Sequence, residues 1–117
     1  MLVAGSRDFN NYAWLCHKFD SLSYVHDVDF GLIISGGARG VDQAAERWAL
    51  SKDYDFTEHP ALWDEYGPSA GFRRNQTMGE LCTHAIIVHD GWSRGTKHMI
   101  GVLRSLKKPY VLYNDSR

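Results

Sequence analysis

Cysteine is scarce. Cys16 and Cys82 are the only two in 117 residues, and neither belongs to a Cys-x-x-Cys pair, so a disulfide framework is excluded. Reduced thiols fit a cytoplasmic protein, and that is the expected location. No apolar run approaches a membrane span, and the start lacks a basic segment followed by an apolar one, so neither a membrane span nor a targeting segment is expected. Charge of one sign is lacking too. Thirteen Lys and Arg face fourteen Asp and Glu, for a net charge of −1, which gives no global drive toward nucleic acid or membrane surfaces. The six histidines show no metal-ligand spacing, so no metal is expected. Repeats, linkers and low-complexity segments are absent as well.

What is present is a mixture of 44% hydrophobic and 23% charged residues, the balance of a folded globular chain. The length suits one compact domain over residues 1–117. Its centre is Leu32-Ile-Ile-Ser-Gly-Gly-Ala-Arg-Gly-Val-Asp42. The apolar run Leu32–Ile34 reads as a buried strand that breaks at Ser35-Gly36-Gly37 and re-emerges as a helix near Ala38. Paired glycines at such a junction uncover main-chain N–H groups, and a helix N-terminus adds partial positive charge. An ordinary tight turn explains the same residues about as well.

Around this stretch the chain alternates. Strands are expected at Met1–Ala4, Leu32–Ile34, Tyr54–Glu58, His84–His89 and Tyr110–Tyr113. Helices are expected from about Asn10 to Val25, from Ala38 onward, from Pro68 or Ser69 to about Leu81, and after an N-cap at Ser93 or Thr96. Asp29-Phe30-Gly31 leads into the second strand, and His59 to Gly67 reads as a loop. Val41, Ala44, Ala45, Trp48 and Ala49 make the clearest amphipathic stripe, at i, i+3, i+4, i+7 and i+8. Met78, Leu81 and Cys82 give the third helix its apolar end, and Met99, Ile100, Leu103 and Leu106 the fourth its buried face. Five strands alternating with four helices predict an α/β, three-layer fold on a parallel sheet. Such a sheet brings the glycine junctions after strands 1, 2 and 4 to one edge, where ligands bind.

That edge is locally basic. Arg7, Arg39, Arg73, Arg74, Arg94 and Lys97 all lie in these junctions or at the start of the third helix. Arginine's planar fork suits phosphate, although partial pairing with Asp8, Asp42, Asp64 and Asp90 would give merely a solvated surface. Trp63, Tyr66 and Trp92 flank the edge, where they can stack on a nucleobase or pack a loop. Glu58 falls where a ribose-binding acid would stand in a dinucleotide-binding unit. A Gly-x-Ser-x-Gly nucleophile elbow is absent.

Several motifs in order carry a resemblance. They are Gly5-Ser6-Arg7, Ser35-Gly-Gly-Ala-Arg-Gly-Val-Asp42, Ala61-Leu-Trp63 with Tyr66-Gly67, Ala70-Gly-Phe-Arg-Arg-Asn75 with Met78, and Asp90-Gly-Trp-Ser-Arg-Gly-Thr96. Together they resemble the YspA-type (YpsA-related) branch of the SLOG superfamily, small domains related to the LOG phosphoribohydrolases and to the DNA-processing protein DprA. The resemblance implies a Rossmann-like sheet of order 3-2-1-4-5 with a pocket for a nucleotide or an ADP-ribose-like derivative, in a sensor or processor of nucleotide signals. It leaves the oligomeric state open, with a homodimer possible since family members often dimerise. On this reading Gly36, Gly37 and Gly95 shape the loops, and Arg7, Arg74 and Arg94 neutralise phosphate. Ser6 and Thr96 donate hydroxyl bonds, and Asp42 or Asn75 orients the sugar or braces the loops. Gly5, Ser35, Arg39, Trp63, Asp90 and Ser93 complete the expected ligand-binding set.

The departures bear on catalysis. LOG enzymes carry a catalytic Glu in Pro-Gly-Gly-x-Gly-Thr-x-x-Glu, and Met99 stands in its place here. The LOG arginine before x-x-x-Met has its counterpart in Arg74. If the protein is an enzyme, it is a nucleotide-directed N-glycoside or phosphoester hydrolase, with Arg74, Asp42 and Glu80 as catalytic candidates. Nucleotide binding is the leading expectation, hydrolysis the second, and DprA-like binding of single-stranded DNA ranks third.

Overall fold

A computed structural model describes residues 1–26 and 32–114. The Asp29-Phe30-Gly31 lead into the second strand lies outside them. The element order is β1 (Leu2–Gly5), α1 (Tyr12–His26), β2 (Leu32–Ser35), α2 (Val41–Ser51), β3 (Asp55–Glu58), α3 (Trp63–Tyr66), α4 (Ala70–Leu81), β4 (Ala85–His89), α5 (Arg94–Ser105) and β5 (Tyr110–Asn114), with a 3-10 turn at Gly67–Ser69 between α3 and α4. The five strands form one sheet of order β3-β2-β1-β4-β5. Every pairing is parallel, with Leu2 opposite both Ile34 and Ala85, Leu32 opposite Asp55, and Ala85 opposite Tyr110.

The central strands β1, β2 and β4 are mostly apolar on both faces because helices cover both. Val3, Ile33, Ile86 and Val88 point to one side, where they pack on Leu15 and Phe19 of α1 and on Ala45 and Trp48 of α2. Leu2, Ile34, Ala85 and Ile87 point to the other, onto Met78 of α4 and Met99, Val102 and Leu103 of α5. Alternating side chains therefore feed two hydrophobic layers. Trp48 anchors the first layer. Its ring meets Phe19 edge to face at 5.2 Å, and its indole N–H donates to Asp20 at 3.1 Å, so the largest buried side chain keeps its polar atom satisfied.

Four details differ from the sequence reading. Helix α2 begins at Val41 and not near Ala38, because Gly40 holds φ at +79° and breaks the helix there. The His59–Gly67 loop contains the short helix α3 and leads into the 3-10 turn, local structure too short to show a periodicity. Leu32 is exposed, so β2 is buried only from Ile33 onward. Leu81 is exposed as well, and Met78, Asn75 and Gly79 form the inner face of α4.

Gly79 shows how closely α4 and α5 approach. A Cβ at this position would lie 2.5 Å from Val102 Cγ1 and 3.2 Å from Leu106 Cδ1. Gly79→Ala is expected to push the two helices apart at a cost of about 1–3 kcal/mol. Scanning calorimetry should show Tm lowered by roughly 5–15 °C.

Candidate functional site

In a parallel sheet of this order the chain leaves β1 and β4 toward opposite faces, which opens a crevice beyond their carboxyl ends. Arg7 follows β1 at this point, and Ser93 and Gly95 stand at the start of α5 after β4. Helix α4 supplies Gly71, Phe72, Arg74 and Asn75, α3 supplies Trp63, and the turn between them supplies Pro68. These residues line a cavity of about 340 Å³. A narrow extension of about 70 Å³ continues inward past Gly5, Ala38, Asp42 and Thr96 to Met78 and Met99.

Arg74 is the hub. Its Nη1 donates to the carbonyls of Gly36 (3.1 Å) and His59 (3.3 Å), and its Nε donates to Asn75 Oδ1 (3.1 Å). A side chain on Gly36 would occupy the space of the guanidinium; that is what glycine provides there. Asn75 then turns its amide nitrogen toward the Gly95 carbonyl at 3.2 Å and His98 Nδ1 at 3.1 Å. One arginine and one asparagine thus join the loops after β2 and β3 to the start of α5.

Gly40 does comparable work behind the cleft. Its positive φ suits glycine, and a Cβ would collide with the Ser6 carbonyl. Val41 N–H donates to that carbonyl at 3.1 Å. The loop that carries Arg7 is therefore seated against the start of α2.

The expected site residues divide into three groups. Arg7, Trp63, Arg74, Asn75, Ser93 and Gly95 line the main cavity, and Gly5, Asp42 and Thr96 line its extension. A second group builds the loops and does not line the cleft. Ser35 is fully buried and donates to Glu46 Oε1 at 2.6 Å. Buried Ser6 accepts from Asp8 N–H at 3.2 Å. Asp90 accepts the Trp92 and Ser93 N–H groups at 2.8 and 2.9 Å, and Ser93 Oγ caps α5 by accepting from Thr96 N–H at 3.3 Å. Gly36 makes room for Arg74, and Gly37 packs against Glu58. The third group lies outside. Arg39 and Arg94 are exposed and line neither part of the cleft, and Glu80 points out near the far end of α4, bonded to Gln76 at 3.0 Å. The structure therefore does not bring Glu80 together with Arg74 and Asp42. Met99 is buried among the α4 and α5 side chains, so no carboxylate stands at that place. Sequence reasoning missed Pro68, Gly71 and Phe72. The helical spacing of Phe72 with Asn75 is the signal that puts Phe72 on the cleft side of α4.

Two carboxyls show how the site is charged. Asp90 is pushed down to about 2, chiefly by the N–H groups it accepts. Asp42 behaves oppositely. Only 6% exposed, it is raised to about 6 by burial, although N–H donation from Ala38 and Gly36 and the charge of Arg74 oppose the shift. Burial also lowers the pKa of Arg74, with Asp42 raising it and the nearby Arg7 guanidinium lowering it. Among the described residues neither arginine is in a salt bridge within 4 Å. Two cations thus line one cleft with a buried acid of unusually weak acidity, an arrangement of charge that a bound anion would relieve. Among the described residues no group of three His, Cys, Asp or Glu could hold a metal ion.

The Asp42 shift fixes a pH dependence. Between about pH 4 and 6 the folded chain keeps a proton that the unfolded chain releases, so stability falls as pH rises through this window. Above pH 6 the loss levels off at about 3 kcal/mol, from a pKa raised from 3.8 to about 6. Urea unfolding at pH 4, 5, 6 and 7 should show Asp42→Asn losing this component of the slope. Identical pH profiles for variant and wild type would contradict it.

Comparison with known proteins adds the lineage. No solved structure matches. The chain is 29% identical to the Gene 61 protein of Mycobacterium phage D29 over 123 residues, covering 98% of this chain and 96% of that protein. A family model described as "YspA, cpYpsA-related SLOG family" matches residues 1–66, from β1 to the end of α3. The fold, the order of the sheet and this match agree, and the chain belongs to the YspA, cpYpsA-related SLOG family.

Proposed function

We propose that the cleft at the carboxyl ends of β1 and β4 binds a nucleotide or nucleotide derivative through its phosphate and sugar. The observation that carries this reading is the Arg7–Arg74 pair, two cations within electrostatic reach of one another and without a salt-bridge partner among the described residues. A phosphate between them supplies the missing charge. The first amides of α5, beside Gly95, offer donors at a helix N-terminus. Asp42 and Asn75 lie within the same cleft and are the groups suited to sugar hydroxyls. Membership of the family fits a nucleotide-related function.

The test is thermal stabilisation across a panel of nucleoside mono- and diphosphates and ADP-ribose. A ligand at 100 times its Kd should stabilise the fold by about 2.7 kcal/mol. Arg7 makes none of the hydrogen bonds that tie the loops together, so Arg7→Ala should leave the unliganded Tm nearly unchanged and weaken binding about tenfold or more. No shift with any phosphate-bearing member of the panel at millimolar concentration would reject the proposal.

A second reading, hydrolysis of an N-glycosidic bond, is favoured by one observation. Asp42 is a buried carboxyl of pKa about 6 that reaches the cleft beside Arg74, the kind of group that exchanges a proton near neutral pH. Chromatography of nucleoside monophosphates after prolonged incubation should then show free base, lost in Asp42→Asn. Binding without product would leave the cleft as a binding site only.

A further inference from the structure

An anion needs the arginines of the cleft but not its other wall, where Trp63 and Phe72 are 53% and 52% exposed. Scattered exposed aromatics are ordinary on protein surfaces. These two line the same 340 Å³ cavity as Arg7 and Arg74, a size in the range of small-molecule sites. Trp63 lies over Gly71 of α4, where a Cβ would come within 3.3 Å of its ring. Glycine at this position lets the indole lie close against the helix while its outer surface stays open.

Phe72 is held from behind. Its ring stacks on the His98 imidazole, with centroids 4.2 Å apart and planes 25° from parallel. Burial lowers the His98 pKa, which favours the neutral ring that accepts from Asn75 at Nδ1. Asn75 in turn takes the Nε–H of Arg74. The aromatic wall and the phosphate-facing arginine are thus joined by consecutive contacts, so the position of one fixes the position of the other.

We propose that Trp63 and Phe72 form a stacking wall for a planar heterocycle, so that the cleft takes a nucleoside phosphate by its base as well as its phosphate and discriminates against a bare sugar phosphate. This rests on the phosphate-binding reading above and deepens it. A nucleobase offers a π-face that stacks on an exposed indole whatever its hydrogen-bonding edge. The cationic floor accounts for the charged end of the same molecule.

The test compares AMP, GMP, CMP and UMP with ribose 5-phosphate by calorimetric titration of the wild type, Trp63→Ala and Trp63→Phe. At least one nucleotide should bind roughly 5- to 100-fold more tightly than ribose 5-phosphate. Trp63→Ala should erase that ratio while ribose 5-phosphate affinity stays within about two-fold, and Trp63→Phe should keep most of it. Indole fluorescence should fall on binding in the wild type and much less in Trp63→Phe. If Trp63→Ala fails to fold, Phe72→Leu carries the same comparison. Equal affinity for ribose 5-phosphate and all four nucleotides, or equal losses for both classes in Trp63→Ala, overturns the stacking wall and leaves the phosphate site standing. No binding of any of the five compounds overturns the stacking wall, and the same result with the diphosphates and ADP-ribose overturns the phosphate site as well.

Discussion

The cleft depends on the guanidinium of Arg74. By donating to the carbonyls of Gly36 and His59 it fastens α4 to the loops after β2 and β3, and through Asn75 it reaches the start of α5. Buried carbonyls in loops need donors, and loop main chains seldom satisfy one another. One long side chain from a helix does this for two separate loops. The same group carries the positive charge that makes the cleft attractive to an anion. A lysine would keep the charge but not the fork that divides its bonds among three acceptors.

Around that hub the charges are left incompletely balanced. Asp42 is close enough to Arg74 to interact, yet burial makes it a reluctant anion, and its carboxylate oxygen is already shared by two main-chain N–H groups. Arg7 adds a second cation on the open side. A structural arginine cluster would be expected to come with ionised carboxylates in contact, as Lys52 and Asp20 do elsewhere on the surface at 3.2 Å. The lack of such a partner among the described residues separates this cleft from an ordinary polar crevice.

Much of the fold was legible because its signals were periodic. The stripe from Val41 to Ala49 marked α2, short runs between turn residues marked the strands, and the ordered motifs implied the sheet order that the structure has. Boundaries were harder wherever a single residue decides them. Gly40, through its backbone angle, delays the start of α2 to Val41, three residues after Ala38, and nothing in the pattern distinguishes it from Gly36 or Gly37. Within the site, Arg7, Arg74 and Asn75 were readable because they lie at junctions that a parallel sheet must bring together. Ser35, Ser6 and Asp90 belong to the same junctions, but their side chains are consumed inside the loops. Residue type cannot tell a polar group that meets a ligand from one that replaces a missing main-chain partner. Phe72 escaped notice for the opposite reason, since an aromatic residue on a helix reads as core until its exposure is known.

The position of β1 sets the order in which this molecule can be assembled. Strands β2 and β3 are joined by one short helix and can pair early, as can β4 and β5. Strand β1 must close the sheet by pairing Leu2 with Ala85 far along the chain, the kind of distant contact that forms late because its loop entropy is paid first. Arg7 comes from one side of that closure, and Arg74, Ser93 and Gly95 from the other. A partly folded chain with both strand–helix–strand halves intact would still present no cleft. A ligand of the kind proposed would therefore act as a clasp across the seam between the two halves of the sheet.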